Sequence, residues 1–143
     1  MPNWVSHLII QVCAEYHHDL PIVNWRRSHK RHCGYITTSG GERIKTFRNR
    51  PKFSSGVSYT KKNRIAITAG TSKKDQKLVL LHELAHLLAP EKEHHGAEFW
   101  KIAWKLYQQY GVPLPYARKR EFKYRKMAKS VYQQLQIKSL RVS

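Results

Sequence analysis

Trp4, Leu8, Val12 and Tyr16 recur at helical spacing with Ile9 beside them, which predicts an amphipathic helix over residues 3 to 18. Pro21 stops it, and the stretch NWRRSHKRHCG that follows is basic and without a period. Short β-prone pieces come next. GYITT meets the turn SGGE and then RIKTF; after the break RNRPKFSSG, GVSYT and RIAITAG flank KKN as a hairpin would. In RIAIT, Ile65 and Ile67 alternate with Arg64, Ala66 and Thr68, the pattern of a half-buried strand. Thr71 or Ser72 is placed to cap the next helix, with Asp75 in the first turn, where the helix dipole favours an anion. Pro90 forbids continuation past Ala89. A further helix is predicted over 97 to 110, closed by Gly111 and Pro113, and Pro115 opens a long basic helix to about residue 140. The order is an N-terminal helix, a small mostly antiparallel sheet, the helix over 72 to 89 and two further C-terminal helices. That order predicts an α+β fold.

At 143 residues the chain is expected to form one domain over 1–143, long enough to bury a core. It has no run of eighteen apolar residues, so no membrane partner is expected. The start, MPNWVSHLIIQVCAEYHH, lacks the basic flank and small-residue cleavage site of a secretory signal. Cys13 and Cys33 form no CxxC pair and are expected as free thiols in a reducing, cytoplasmic compartment. Charge alters the picture most. The formal net charge is +18, concentrated in two blocks: 24 to 52 and 116 to 143 each carry nine Lys/Arg against one acid. Two such blocks around a balanced middle suggest a polyanion partner, nucleic acid ahead of an acidic membrane. Arg118, Lys119, Arg120, Lys123, Arg125 and Lys126 crowd nine consecutive positions and are the expected phosphate contacts.

The sharpest chemistry lies in LVLLHELAHLLAPEKEHHGAEFW. His82 and His86 stand four apart on the predicted helix, so both imidazoles share one face and can share one ion. Glu83 is offset by about 100° and sits beside that ion, where a carboxylate can take a proton from an activated water and pass it to a leaving amine. Leu80, Leu81, Leu84, Leu87 and Leu88 cover the other faces, and a histidine pair among them is costly to bury without a partner. Zinc suits neutral imidazoles and, in catalytic sites, takes three protein ligands with one position open. For the third ligand, the position six after His86 is Lys92, which excludes the metzincin spacing; Glu98 follows closely behind a short loop, and His94 and His95 are the better candidates.

HELAH followed by HGAEF resembles the SprT-like zincin family, in which HExxH is followed by a loop and an HG-x-x-F/W motif. SSGVSYTKKNRIAITAG is similar to the strands preceding the active helix in such minimal zincins. The resemblance covers residues 54 to 111, and it implies one zinc held by His82, His86 and His95, with Glu83 as general acid/base. Only two cysteines are present, so the zinc ribbon of many relatives is absent. A minimal member, of a kind seen in bacteria and phages, is implied, acting in the cytoplasm on protein substrates and expected as a monomer. A role on nucleic-acid-bound proteins, known for part of the family, would agree with the basic blocks.

Two other functions compete. A metal-dependent hydrolase of RNA or another phosphodiester can use three histidines begun by an i, i+4 pair, but has no call for the glutamate. A basic nucleic-acid-binding protein with a structural zinc would want a closed, four-ligand site. His29, His32 and Cys33 could form a second metal site, though basic neighbours repel a cation there. Tyr107, Tyr110 and Tyr116 are candidates for an oxyanion-stabilising hydroxyl, and Trp100 and Trp104 for clamping a helix pair.

Overall fold

The computed structural model of the chain describes residues 1–28, 33–37, 39–47, 51–90, 95–122 and 126–142, with 33–37, 43–47 and 137–142 described by backbone alone. His29, His32, His94, Lys123, Arg125 and the Cys33 side chain lie outside that set. The elements run α1 (Asn3–Glu15), β1 (Ile22–Arg27), β2 (Cys33–Thr37), β3 (Arg43–Phe47), β4 (Ser55–Tyr59), β5 (Arg64–Ala69), α2 (Lys73–Leu88), α3 (Ala97–Gln109), α4 (Leu114–Phe122) and α5 (Lys126–Val142). The fold is α+β, with five helices among the described residues.

The predicted β4–β5 hairpin forms, and the β-prone pieces on either side of SGGE pair with each other as well. β2 pairs antiparallel with β3, and β4 antiparallel with β5. Ile65 and Ile67 of β5 are buried, as their alternation requires. Two of the three described strand pairings are antiparallel, as expected, and the three-stranded sheet is mixed, in the order β1-β5-β4, because β1 joins β5 in parallel. The last four residues of β1, NWRR, open the stretch that had no period in the sequence. A parallel partner reached only through a long crossover leaves no local turn signal to read.

α2 starts as its sequence predicts: the Ser72 hydroxyl accepts from the Asp75 N–H at 3.4 Å. Leu78, Val79, Leu80, Leu81, Leu84 and Ala85 are buried because α2 is packed between the β4–β5 hairpin and α3. Val5, Leu8, Ile9 and Val12 of α1 join the same core, with Phe99, Trp100, Leu106 and Tyr107 of α3.

The single long C-terminal helix expected from 115 to 140 is instead two helices that fold back on each other. In one straight helix Arg118 and Tyr132 would stand about 21 Å apart along the axis. The Arg118 guanidinium lies 5.6 Å from the Tyr132 ring, and Phe122 meets that ring at 5.6 Å. Folding back lets α5 cover α3. Ala128 and Val131 are buried there, and the Trp104 indole donates to the Ala128 carbonyl at 3.0 Å.

α4 docks on α2 through a buried carboxylate. Asp75 has no exposed surface. It accepts from the Ser54 N–H at 2.6 Å, from Arg120 Nε at 2.7 Å and from the Tyr116 hydroxyl. One side chain thus ties together α2, α4 and the entry to β4.

Candidate metal centre

His82 and His86 project from one face of α2, and His95 comes in from the residue before Gly96, which caps α3 in extended conformation. His95 Nε2 lies 3.3 Å from His82 Nε2 and 3.1 Å from His86 Nε2. A tetrahedral ion with bonds of about 2.0–2.1 Å holds its ligand atoms roughly 3.3–3.4 Å apart. All three ligand atoms lie within 4.8 Å of one another, so these residues can hold one metal ion. Imidazole donors suit zinc, copper, iron or nickel better than the hard oxygen-seeking cations. Of the two histidines before Gly96, His95 is the one seen in the cluster; His94 lies outside the described residues.

Phe99, fully buried in the first turn of α3, packs against all three rings. It stacks on His86 with centroids 4.2 Å apart and meets His82 and His95 at 5.0 and 5.1 Å. On the opposite side of the His82 ring, Nδ1 donates to Glu121 Oε2 at 3.0 Å, with the Tyr107 hydroxyl at 3.4 Å. A carboxylate on Nδ1 places the imidazole proton there, so the Nε2 lone pair is turned to the cluster. Burial pushes the Tyr107 phenol well up, with the Glu121 and Glu83 charges adding to it, so it remains a neutral donor.

Glu83 lies in the same cleft and is 7% exposed. The Ser58 hydroxyl is 2.6 Å from Glu83 Oε2 and 2.8 Å from the Glu83 carbonyl, two acceptors for one hydrogen. Burial raises the Glu83 carboxyl above its ordinary range; the Ser58 hydrogen bond and the His82 charge offset part of this, and Glu121 adds to it. A carboxyl tuned upward takes up a proton more readily than an ordinary glutamate, which suits proton exchange with a substrate. The cleft, about 320 Å³, is completed by Gly56, Val57, Ser58 and Thr60 of the β4 hairpin. A side chain at Gly56 would force its neighbours to shift. A β-carbon there would stand 2.8 Å from Ile67 Cδ1 and 2.9 Å from Glu83 Cγ.

No protein-family model, curated protein or solved structure matches this chain.

The other expected residues divide. Glu98 points to solvent and pairs with Lys101 at 3.2 Å, away from the cluster. None of the three candidate tyrosines lines the cleft: Tyr107 backs His82, Tyr110 donates to Glu15 at 2.9 Å, and Tyr116 donates to Asp75. Trp100 is buried beside the cluster, its ring centroid 5.9 Å from that of His82, and Trp104 is buried against Phe122 and Tyr132. Of the six basic residues, Lys119 and Lys126 are exposed, Arg118 rests on Tyr132, and Arg120 is bound to Asp75. Lys123 and Arg125 lie outside the described residues. Sequence reasoning missed Glu121, Ser58 and Gly56. For Glu121 a signal existed: it is the one acid among nine cations in its block.

Proposed function

We propose that the chain is a zinc-dependent metallopeptidase of zincin-like fold, resembling the SprT-like family, that hydrolyses peptide bonds in proteins on or near nucleic acid. The observation that carries this is three convergent imidazole nitrogens beside a buried carboxyl in one open cleft. His82, His86 and His95 would hold the ion, and bound zinc supplies a Lewis acid that acidifies water and polarises a carbonyl. Glu83 accepts the proton of the attacking water and returns it to the leaving amine. Ser58 partners Glu83 in both states. It donates to Oε2 when the carboxylate is charged and turns its hydrogen to the Glu83 carbonyl when the carboxyl carries the proton.

β4 supports a peptide substrate over a phosphodiester. Among the described residues it pairs with β5 alone, and Ser55, Gly56 and Val57 are exposed along it. An extended chain can add to such an edge by main-chain hydrogen bonds, which brings its carbonyls past Glu83. The net charge of +18 favours substrates close to a polyanion.

The test is Glu83→Gln. One zinc per chain is expected in both forms, with hydrolysis of an unfolded protein substrate reduced at least a hundredfold in the variant. Undiminished hydrolysis would remove Glu83 from the chemistry, and loss of zinc would make it a ligand or a structural support. Phosphodiester cleavage without any peptide cleavage would favour the other hydrolase.

A further inference from the structure

The β1 edge of the three-stranded sheet, opposite the edge that borders the cleft, carries a second constellation. Trp4 of α1 and Trp25 of β1 meet edge to face, with centroids 5.9 Å apart and planes at 87°. Both rings are half-buried. With Arg27, Thr71, Lys73 and Gln76 they line a surface groove of about 420 Å³ with no acid among the described residues of its lining. Arg27 and Lys73 are exposed, and Lys73 Nζ stands 5.4 Å from the Trp4 ring centroid. The Gln76 amide donates to the Gly70 carbonyl at 2.6 Å, which fixes that wall. An indole pair that only closed the core would need neither an open groove nor two cations beside it.

We propose that this groove binds single-stranded nucleic acid, with a base stacked on the Trp4–Trp25 pair and the adjoining phosphates held by Arg27 and Lys73. Every base offers a π-face, so stacking on indole is tolerant of sequence, while cations track the backbone. A duplex keeps its base faces inside the stack and offers the groove phosphates alone. The proposal rests on the nucleic-acid half of the function proposed above and gives it a surface. It also gives it a geometry. β1 and β4 flank β5, so they stand about 10 Å apart, and Lys73 and His82 are separated by about 14 Å along α2. A strand in the groove therefore lies about 2 nm from the histidine cluster, within reach of a protein bound to that strand.

The experiment is fluorescence anisotropy of a labelled oligothymidine and of a duplex of equal length, titrated with the zinc-loaded full chain at several salt concentrations. The single strand is expected to bind more tightly. Trp4→Ala and Trp25→Ala are each expected to weaken it about fivefold or more. Because those indoles also touch the core, the exposed pair Arg27→Gln/Lys73→Gln is the second variant. It should reduce the log–log salt slope by about 1.4, roughly 0.7 per phosphate, with zinc content and melting temperature unchanged. If the wild type binds and the Gln pair binds identically, the groove is overturned while nucleic-acid binding stands. Equal affinity for duplex, with the tryptophan variants unaffected, overturns the stacking. No binding to either nucleic acid at low salt overturns both the groove and the nucleic-acid half of the function, leaving the peptidase chemistry to its own assay.

Discussion

Burial raises the Glu83 carboxyl, and neither the Ser58 hydrogen bond nor the His82 charge cancels the shift. A carboxyl whose folded pKa is raised holds its proton more tightly in the native state than in the unfolded chain. Its favourable contribution is complete below the ordinary value of 4.5 and is lost as the pH rises through the folded value. Glutamine keeps the shape without the charge. The metal-free Glu83→Gln variant should therefore melt above metal-free wild type at pH 7, and the gap should close as the pH falls toward 4.5. Thermal melts in chelator across that range measure this; a lower melting temperature at pH 7 would mean the Ser58 bond outweighs desolvation. Glu121 acts one residue further out. Removing the carboxylate from Nδ1 frees the His82 ring to turn and lowers its basicity, an effect of about 10- to 100-fold on metal affinity. Chelator competition should rank wild type above Glu121→Gln and Glu121→Gln above Glu121→Ala. Equal affinities would leave the 3.0 Å contact without an orienting role.

Elements whose partners are close in the chain were legible beforehand: α1 and α2 by their apolar residues and cap, the β4–β5 hairpin by the alternation in β5 and the turn before it, and β2 and β3 as β-prone pieces around a turn. The site was legible to the same extent, since His82, Glu83 and His86 share one helix and His94 and His95 follow closely in the chain, the resemblance alone singling out His95. What stayed hidden depends on distance. The parallel seat of β1, the reversal between α4 and α5, and the His82–Glu121 bond across 39 positions arise from packing, which has no local period. Gly56 belongs to the same class. Within a strand a glycine is neutral information until α2 is laid beneath it, and then its missing β-carbon lets β4 approach Glu83. Gly56→Ala should push β4 from α2, at a cost of about 1–3 kcal/mol for overpacking. Hydrolysis should fall by more than stability alone explains, because Glu83 is one of the atoms struck. Chemical denaturation and activity of the folded fraction separate the two; full activity per folded molecule would show that the strand gives way without moving Glu83.

At the scale of the whole molecule, the +18 charge is not one uniform coat. Arg120 is committed to Asp75, which has no exposed surface, and its guanidinium also lies 4.8 Å from the Phe53 ring. Glu121 follows immediately on α4, so the clamp that seats Arg120 also aims the carboxylate at His82. Lys119 and Lys126 face solvent, and Arg118 lies over Tyr132 with its charge at the surface. Neutralising cations in this region therefore has two separable consequences. Arg118→Gln/Lys119→Gln/Lys126→Gln should leave stability and zinc content in place. If that face meets duplex phosphates, the log–log salt slope should fall by about 2.7, roughly 0.9 for each. Arg120→Gln should do the reverse. It leaves the buried Asp75 carboxylate without its cation, a loss of about 3–5 kcal/mol for a broken buried pair, and loosens α4 so that zinc affinity falls with it. Melting curves, metal competition and a salt series on the two variants distinguish these outcomes. An Arg120→Gln protein that melts normally but loses duplex affinity would place that guanidinium on the nucleic acid and not in the clamp.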